Sequence, residues 1–289
     1  TVIFKVFFIY LTLSALIFIL FTLSGIRLYN GLNLAMTVSS TGGFLPTNEI
    51  GEIIKTNSQK IIFLTTLLFG TLNIYFFYSL FYRINLIKKH YEDIFILALI
   101  LFISFLLIVL IKNSNAVEIM TSVVSSIGTS GLSSYNPPKN YNLFFIFLTI
   151  IGGSIVSNSS GIKFIRIYIL LKSSILEIFK LVTPNIVIDQ RILNTENKIN
   201  TENITSSFLI FISFFISLLI LSSFVTIEEL NFEKSFKLSI LTLTNTVNSG
   251  LYGLNDIDFS GLLTSTKISI ILFMIIGKIE LISFFLIIR

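Results

Sequence analysis

Apolar runs alternate with polar segments along the whole chain. A spanning helix needs about 20 mostly apolar residues, and six stretches qualify: residues 2–24, 59–82, 93–112, 141–172, 205–225 and 265–288. The first, third and fifth are followed by connections of 28 to 39 residues, each with its own short apolar stretch, 32–41, 116–127 and 236–247, too short to cross. The second and fourth are followed by polar, basic loops instead. The pattern predicts span, half-helix, span, repeated three times, and hence an all-α membrane protein.

Composition sharpens this reading. Of the 289 residues 54% are hydrophobic and 12% charged, with a mean hydropathy of +0.91, and a water-facing surface needs roughly twice that charge. The chain has no Cys and one His, which excludes a disulfide scaffold and thiolate or multi-histidine metal sites. Catalysis has no support, since no nucleophile–base pair stands out, and the protein is expected not to be an enzyme. The net charge of +5 reads as cytoplasmic loops rather than as a nucleic-acid surface. Residues 83–93 and 172–204 hold Arg83, Lys88, Lys89, Lys172, Lys180, Arg191 and Lys198, whereas the three long connections hold five cations and eight acids. The positive-inside tendency then places the basic loops in the cytoplasm and lets the half-helices enter from outside. The chain opens at Thr1 without Met or a signal-peptide n-region, which reads as a cut in a longer protein.

The half-helices end alike. They finish Val38-Ser39-Ser40-Thr41-Gly42-Gly43-Phe44, Val124-Ser125-Ser126-Ile127-Gly128-Thr129-Ser130-Gly131-Leu132 and Thr246-Val247-Asn248-Ser249-Gly250-Leu251. Aligned on Gly43, Gly131 and Gly250, the copies lie 88 and 119 residues apart, an internal repeat of one supersecondary unit. Non-helical backbone inside a bilayer survives only where protein or a watery path solvates it. A cation can do so, because Gly lets consecutive carbonyls point to one side and replace an ion's hydration shell. The half-helix brings its negative C-terminal dipole end to the same place. Packing of small residues between helices is the alternative, and three copies in matching positions weigh against it. The second half-helix also carries a start signal, Asn115 as N-cap with Glu118 three residues on.

Two further features place polarity where it is expensive. The fourth span is interrupted by Gly152-Gly153 and by Ser157-Asn158-Ser159-Ser160-Gly161 before Ile162-Lys163-Phe164-Ile165-Arg166 resumes. Such a break reads as a gate or binding element, or as a buried kink between two shorter helices. Lys278 and Glu280 in Gly277-Lys278-Ile279-Glu280 lie on nearly opposite faces of the last span, so each needs its own partner. Lys278 reads as an electrostatic barrier or a latch on a neighbouring loop; snorkelling is the alternative, though about 16 Å of helix separates it from Arg289. His90 in the short basic loop reads as solvated. Glu228, Glu229, Glu233, Asp256 and Asp258 read as a solvated acidic rim, or as a cation-concentrating mouth.

Together these ordered motifs resemble the Trk/Ktr superfamily of potassium uptake proteins, and within it the membrane subunit of the bacterial Trk system. The likeness runs through essentially the whole chain, with Thr183-Pro184-Asn185 and the Gly277–Glu280 motif as further matches. It implies a potassium-channel-like architecture of span–pore-loop–span units, with residues 1–83, 93–172 and 205–289 as the second, third and fourth units and 173–204 as a cytoplasmic loop. It further implies a filter at Ser40, Thr41, Gly42, Gly43 and Phe44, at Thr129, Ser130, Gly131 and Leu132, and at Val247, Asn248, Ser249, Gly250 and Leu251. Gating is implied for Gly152, Gly153, Ser157, Asn158, Ser159, Ser160 and Gly161 with Lys278. Potassium would be the substrate, with no covalently bound cofactor. The expected setting is the bacterial cytoplasmic membrane, as a multi-pass homodimer docked on a cytoplasmic nucleotide-binding regulatory subunit.

The chain departs from that pattern in three ways. The first unit is expected before Thr1, in cis or in trans, and three quarters of a ring is not expected to conduct alone. The interrupting loop is Ser/Asn-rich where the family is Gly-rich, and Asn248-Ser249 stands where Gly-Pro is usual. Lys278 replaces Arg, keeping the charge without the planar fork of donors. A non-conducting subunit of a split or decayed transporter is the alternative function. A secondary transporter would require a midplane carboxylate, for which Glu280 is the candidate.

Overall fold

The computed structural model describes residues 2–47, 50–82, 90–111, 115–135, 137–182, 191–193, 199–228, 230–246, 250–254, 257 and 259–278. Eleven α-helices fall within these: α1 (Val2–Leu23), α2 (Leu28–Ser40), α3 (Asn57–Thr71), α4 (Ile74–Tyr82), α5 (Tyr91–Leu110), α6 (Ala116–Ile127), α7 (Lys139–Ile150), α8 (Phe164–Val182), α9 (Thr201–Glu228), α10 (Phe232–Leu243) and α11 (Thr264–Lys278). A minimal parallel pair, β1 (Ile151–Gly152) and β2 (Ile162–Lys163), closes the loop between α7 and α8.

Among the described residues, three helices are long and apolar enough to cross a membrane: the segments Val6–Leu23 of α1, Tyr91–Leu110 of α5 and Thr201–Ile227 of α9. Each is packed on one side only. Phe4, Phe7 and Phe8 of α1, Leu101, Phe102 and Phe105 of α5, and Leu209, Ile216 and Leu219 of α9 are exposed, an apolar perimeter that water would not tolerate and hydrocarbon accepts. The expected spans at 2–24, 93–112 and 205–225 are therefore found as continuous helices.

Inside that perimeter the polarity is inverted. The short helices α2, α6 and α10 pack against α1, α5 and α9 respectively, and they carry the hydroxyls. Thr121, Ser122, Ser125 and Ser126 of α6 and Ser235, Ser239 and Thr242 of α10 are buried. Most of these hydroxyls donate to carbonyls three or four residues back, as Ser122 does to Glu118 at 2.8 Å and Ser239 to Ser235 at 2.7 Å, so each helix satisfies much of its own buried polarity.

The expected single span at 59–82 is two helices. It breaks at Leu72 and Asn73, between α3 and α4, and the Asp93 carboxylate accepts the Asn73 N–H at 2.8 Å. Hydropathy misses this break, because the interruption contains one polar residue. The start of α3 is a true capping box, with Gln59 N–H on the Thr56 hydroxyl and Thr56 N–H on the Gln59 amide oxygen. At α6 the expected box is half made. Asn115 accepts the Val117 N–H at 3.2 Å, but Glu118 instead pairs with Lys60 of α3 at 2.6 Å, tying the two helices together.

Candidate functional site

The three short helices end in one backbone device. After α2, Thr41 takes φ +51°, its N–H bonds the Val38 carbonyl and the Gly42 N–H the Thr37 carbonyl. After α6, Thr129 takes φ +52°, with Thr129 N–H on Ser126 and Ser130 N–H on Ser125. After α10, Asn245 takes φ +53°, with Asn245 N–H on Thr242 and Thr246 N–H on Leu241. This is the Schellman arrangement, a left-handed residue whose following amide reaches back across the last turn. Gly ordinarily holds that position; Thr there carries a steric cost.

The hydrogen bonds also set the register of the repeat. Thr41, Thr129 and Asn245 correspond, with spacings of 88 and 116 residues (129 − 41 and 245 − 129). Gly43 and Gly131 then match, both at positive φ, whereas Gly250 lies three residues beyond the matching position, Val247. The glycine alignment at 119 is thus displaced in the third copy. Val247, Asn248 and Ser249 lie outside the described residues, as do Thr183–Asn185, Glu229, Asp256, Asp258 and Glu280. Positive φ at 41 and 43, and again at 129 and 131, with a residue outside that region between them, is an alternation that lets successive carbonyls turn to one side.

Against these ends lies the 151–163 loop. The Asn158 amide donates to the Ser39 carbonyl at 2.6 Å, and the Thr41 hydroxyl lies 2.9 Å from the Asn158 carbonyl. Two residues on, the Ser160 N–H donates to the Thr129 hydroxyl at 2.7 Å. The third end is joined through the loop's stem, the Thr244 hydroxyl lying 3.4 Å from that of Thr149 in the last turn of α7. The three-residue stretch from Asn158 to Ser160 thus touches two of the ends at once. Within the loop, Gly153 N–H bonds the Ser159 hydroxyl, and the buried Lys163 ammonium donates to the Ser157 and Ser159 carbonyls. A Cβ on Gly153 would fall inside contact distance of the Thr71 carbonyl oxygen.

Lys278 closes the arrangement from the last helix. It is an exposed residue, yet its ammonium reaches the Asn158 carbonyl at 2.7 Å, the Thr41 hydroxyl at 2.8 Å and the Ser40 carbonyl at 2.9 Å. Gly277 permits this approach, because a Cβ there would collide with the Leu243 carbonyl of α10. Two carbonyls and a hydroxyl around one monovalent charge make a cage of oxygen donors of the kind that suits a cation.

Of the other residues singled out, Thr129, Ser130, Gly131 and Leu132 are buried, Gly42 and Gly43 half-buried, and Ser40 and Phe44 exposed. Gly152, Gly153, Ser159 and Ser160 are buried, Ser157, Asn158 and Gly161 half-buried. Leu251 is buried in a short turn, Gly250–Tyr252. Glu233 pairs with Lys237 one turn on, and that bond holds its carboxyl below the usual carboxylate range. His90 is not solvated. Its ring donates to or accepts from the Ser79 hydroxyl at 2.8 Å, lies 3.3 Å from the Asp93 carboxylate and packs edge-on against Phe76. Glu92, Asp93 and Lys163 were not singled out by sequence; an acid pair opening an apolar span was the available signal.

No family model matches the sequence. The chain is 29% identical over 225 residues, 75% of its length, to an uncharacterized cation transporter of Methanocaldococcus jannaschii, and spans 44% of that relative. Its structure is similar to the crystal structure of the potassium transporter TrkH from Vibrio parahaemolyticus, with a TM-score of 0.86, 20% identity, and coverage of 99% of this chain and 63% of that one. The chain thus shares the fold of that transporter, and with its exposed apolar helices it is a multi-pass membrane protein.

Proposed function

We propose that this chain carries potassium uptake across the cytoplasmic membrane, forming part of a cation path through its centre. The backbone around Ser40–Phe44, Thr129–Leu132 and Val247–Leu251 lines the filter, and residues 152–161 form a gate that Lys278 holds shut. The observation that carries this reading is the loop itself, bonded through Asn158 to one left-handed helix end and through Ser160 to another. A broken helix seated against carbonyl-rich chain ends is an arrangement for blocking a polar path, since its polar atoms stand where an ion would otherwise be solvated. The likeness to transporters named for cations and potassium supports the same reading. A homodimer and a cytoplasmic nucleotide-binding subunit belong to this proposal, with the basic 172–204 segment facing that subunit. Rubidium-86 uptake by a host deprived of its own potassium transporters, expressing the complete protein that contains this chain, tests it. Saturable uptake, competed by potassium and not by choline, is expected; absence of uptake from protein verified in the membrane would sink the proposal.

A further inference from the structure

The end of the 151–163 loop away from the helix caps is held by a second set of residues. Glu92 and Asp93 open α5. The Glu92 carboxylate accepts the Ile155 N–H at 3.0 Å, faces the Ile165 N–H in the first turn of α8, and feels the Lys163 ammonium. One side chain therefore reaches the loop after its first strand and the helix that follows its second. Asp93, 1% exposed, accepts the Asn73 N–H, faces the Ser154 side chain and is flanked by His90. It therefore joins the break in the second span to the loop. Backbone N–H groups at a helix start and in a loop are orphan donors, and a carboxylate satisfies them more strongly than a neutral acceptor.

We propose that Glu92 and Asp93 are positioning residues for the gate: an acidic clamp at the start of α5 that fixes the loop's lower limb while Asn158 and Lys278 fix its tip. Glu92 is the adjustable member. It is half-buried, whereas Asp93 is fully enclosed. The clamp rests on the gating reading above, and its test has a readout that does not need conduction.

The chain has no cysteine, so a single Ser154→Cys label, nearly isosteric and at a side chain fully buried while the limb is held, reports the loop's lower limb. The rate of its modification by a membrane-impermeant thiol reagent, applied to inside-out vesicles, is compared in Glu92→Ala and Glu92→Gln backgrounds. Loss of one charge-assisted hydrogen bond corresponds to about a tenfold gain in the freed state. Glu92→Ala is therefore expected to raise the rate about tenfold, and Glu92→Gln by less, because Gln still accepts one N–H. Glu177→Ala, which removes an exposed pair with Lys180 on α8, is expected to leave the rate unchanged. An unchanged rate in Glu92→Ala, or in Glu92→Gln where the alanine variant does not accumulate, overturns the clamp. Raised labelling in a protein that carries no rubidium leaves the clamp standing and removes the potassium reading; parental labelling with intact rubidium flux removes the clamp alone.

Discussion

The Ser154 N–H donates to the Thr71 carbonyl at 3.0 Å, and two residues on the Val156 carbonyl accepts the Ile74 N–H at 3.1 Å. One broken helix thereby repairs another. The ends of α3 and α4 each leave backbone groups without intrahelical partners, and so does the loop between α7 and α8. In hydrocarbon each such group costs several kcal/mol. Paired with each other they cost little, and the two breaks persist because they meet.

That contact is among the tightest backbone approaches of the described residues. Gly153→Ala would set a methyl against the Thr71 carbonyl, and backbone cannot rotate away as a side chain can. A loss of about 3 kcal/mol, the upper end of overpacking costs, is expected, read as a sharp fall in the melting midpoint of purified protein. Gly51→Ala meets nothing within 4 Å and is expected to be neutral; equal behaviour of the two variants would refute the argument.

The caps of α6 and α10 share a backbone but not a side-chain role. Asn245→Gly relieves a left-handed residue and is expected to stabilise by about 0.5 kcal/mol. Thr129→Gly relieves the same strain but removes the acceptor of the Ser160 N–H, leaving a buried donor unpaired at about 1–3 kcal/mol. Opposite shifts in thermal midpoint are therefore predicted. Shifts of the same sign would mean that the Thr129 hydroxyl adds nothing.

Lys278 and Asn158 are expected to act as one unit. Lys278→Met withdraws an ammonium from three oxygens, and Asn158→Ala removes the amide that holds Ser39. Each is predicted to raise rubidium leak through the reconstituted protein several-fold, with the double variant less than additive, because both release the same loop tip. Fully additive effects on leak would separate the two residues. Lys278→Arg keeps the charge and is expected to stay near the parental leak.

The Lys60–Glu118 pair, about one-fifth exposed at each side chain, links α3 to α6. Partial burial places its worth above that of a surface pair, at about 1 kcal/mol. A double-mutant cycle on thermal stability with Lys60→Met and Glu118→Gln measures it directly; a coupling indistinguishable from zero would show that helix packing alone sets the α3–α6 contact.

Much of this fold is legible along the chain, because hydrocarbon is a uniform solvent and hydropathy is a local quantity. The continuous helices α1, α5 and α9, the half-helix at 116–127, the interrupted fourth span and the membrane setting all follow from runs of Ile, Leu and Phe and from where Gly and Ser interrupt them. What local composition does not contain is pairing at a distance. The break at Leu72–Asn73 exists because Asp93, Ser154 and Val156 arrive from elsewhere to satisfy it. His90 is drawn out of solvent by Ser79 and Asp93, and the third cap falls on Asn245 rather than in step with Gly250 because hydrogen bonds, not glycines, define the turn. Sequence by itself determined which segments can live in a bilayer; the tertiary structure decided where the second span breaks and which of the groups left unpaired at helix ends satisfy one another, since that depends on which chain ends are brought within about 3 Å.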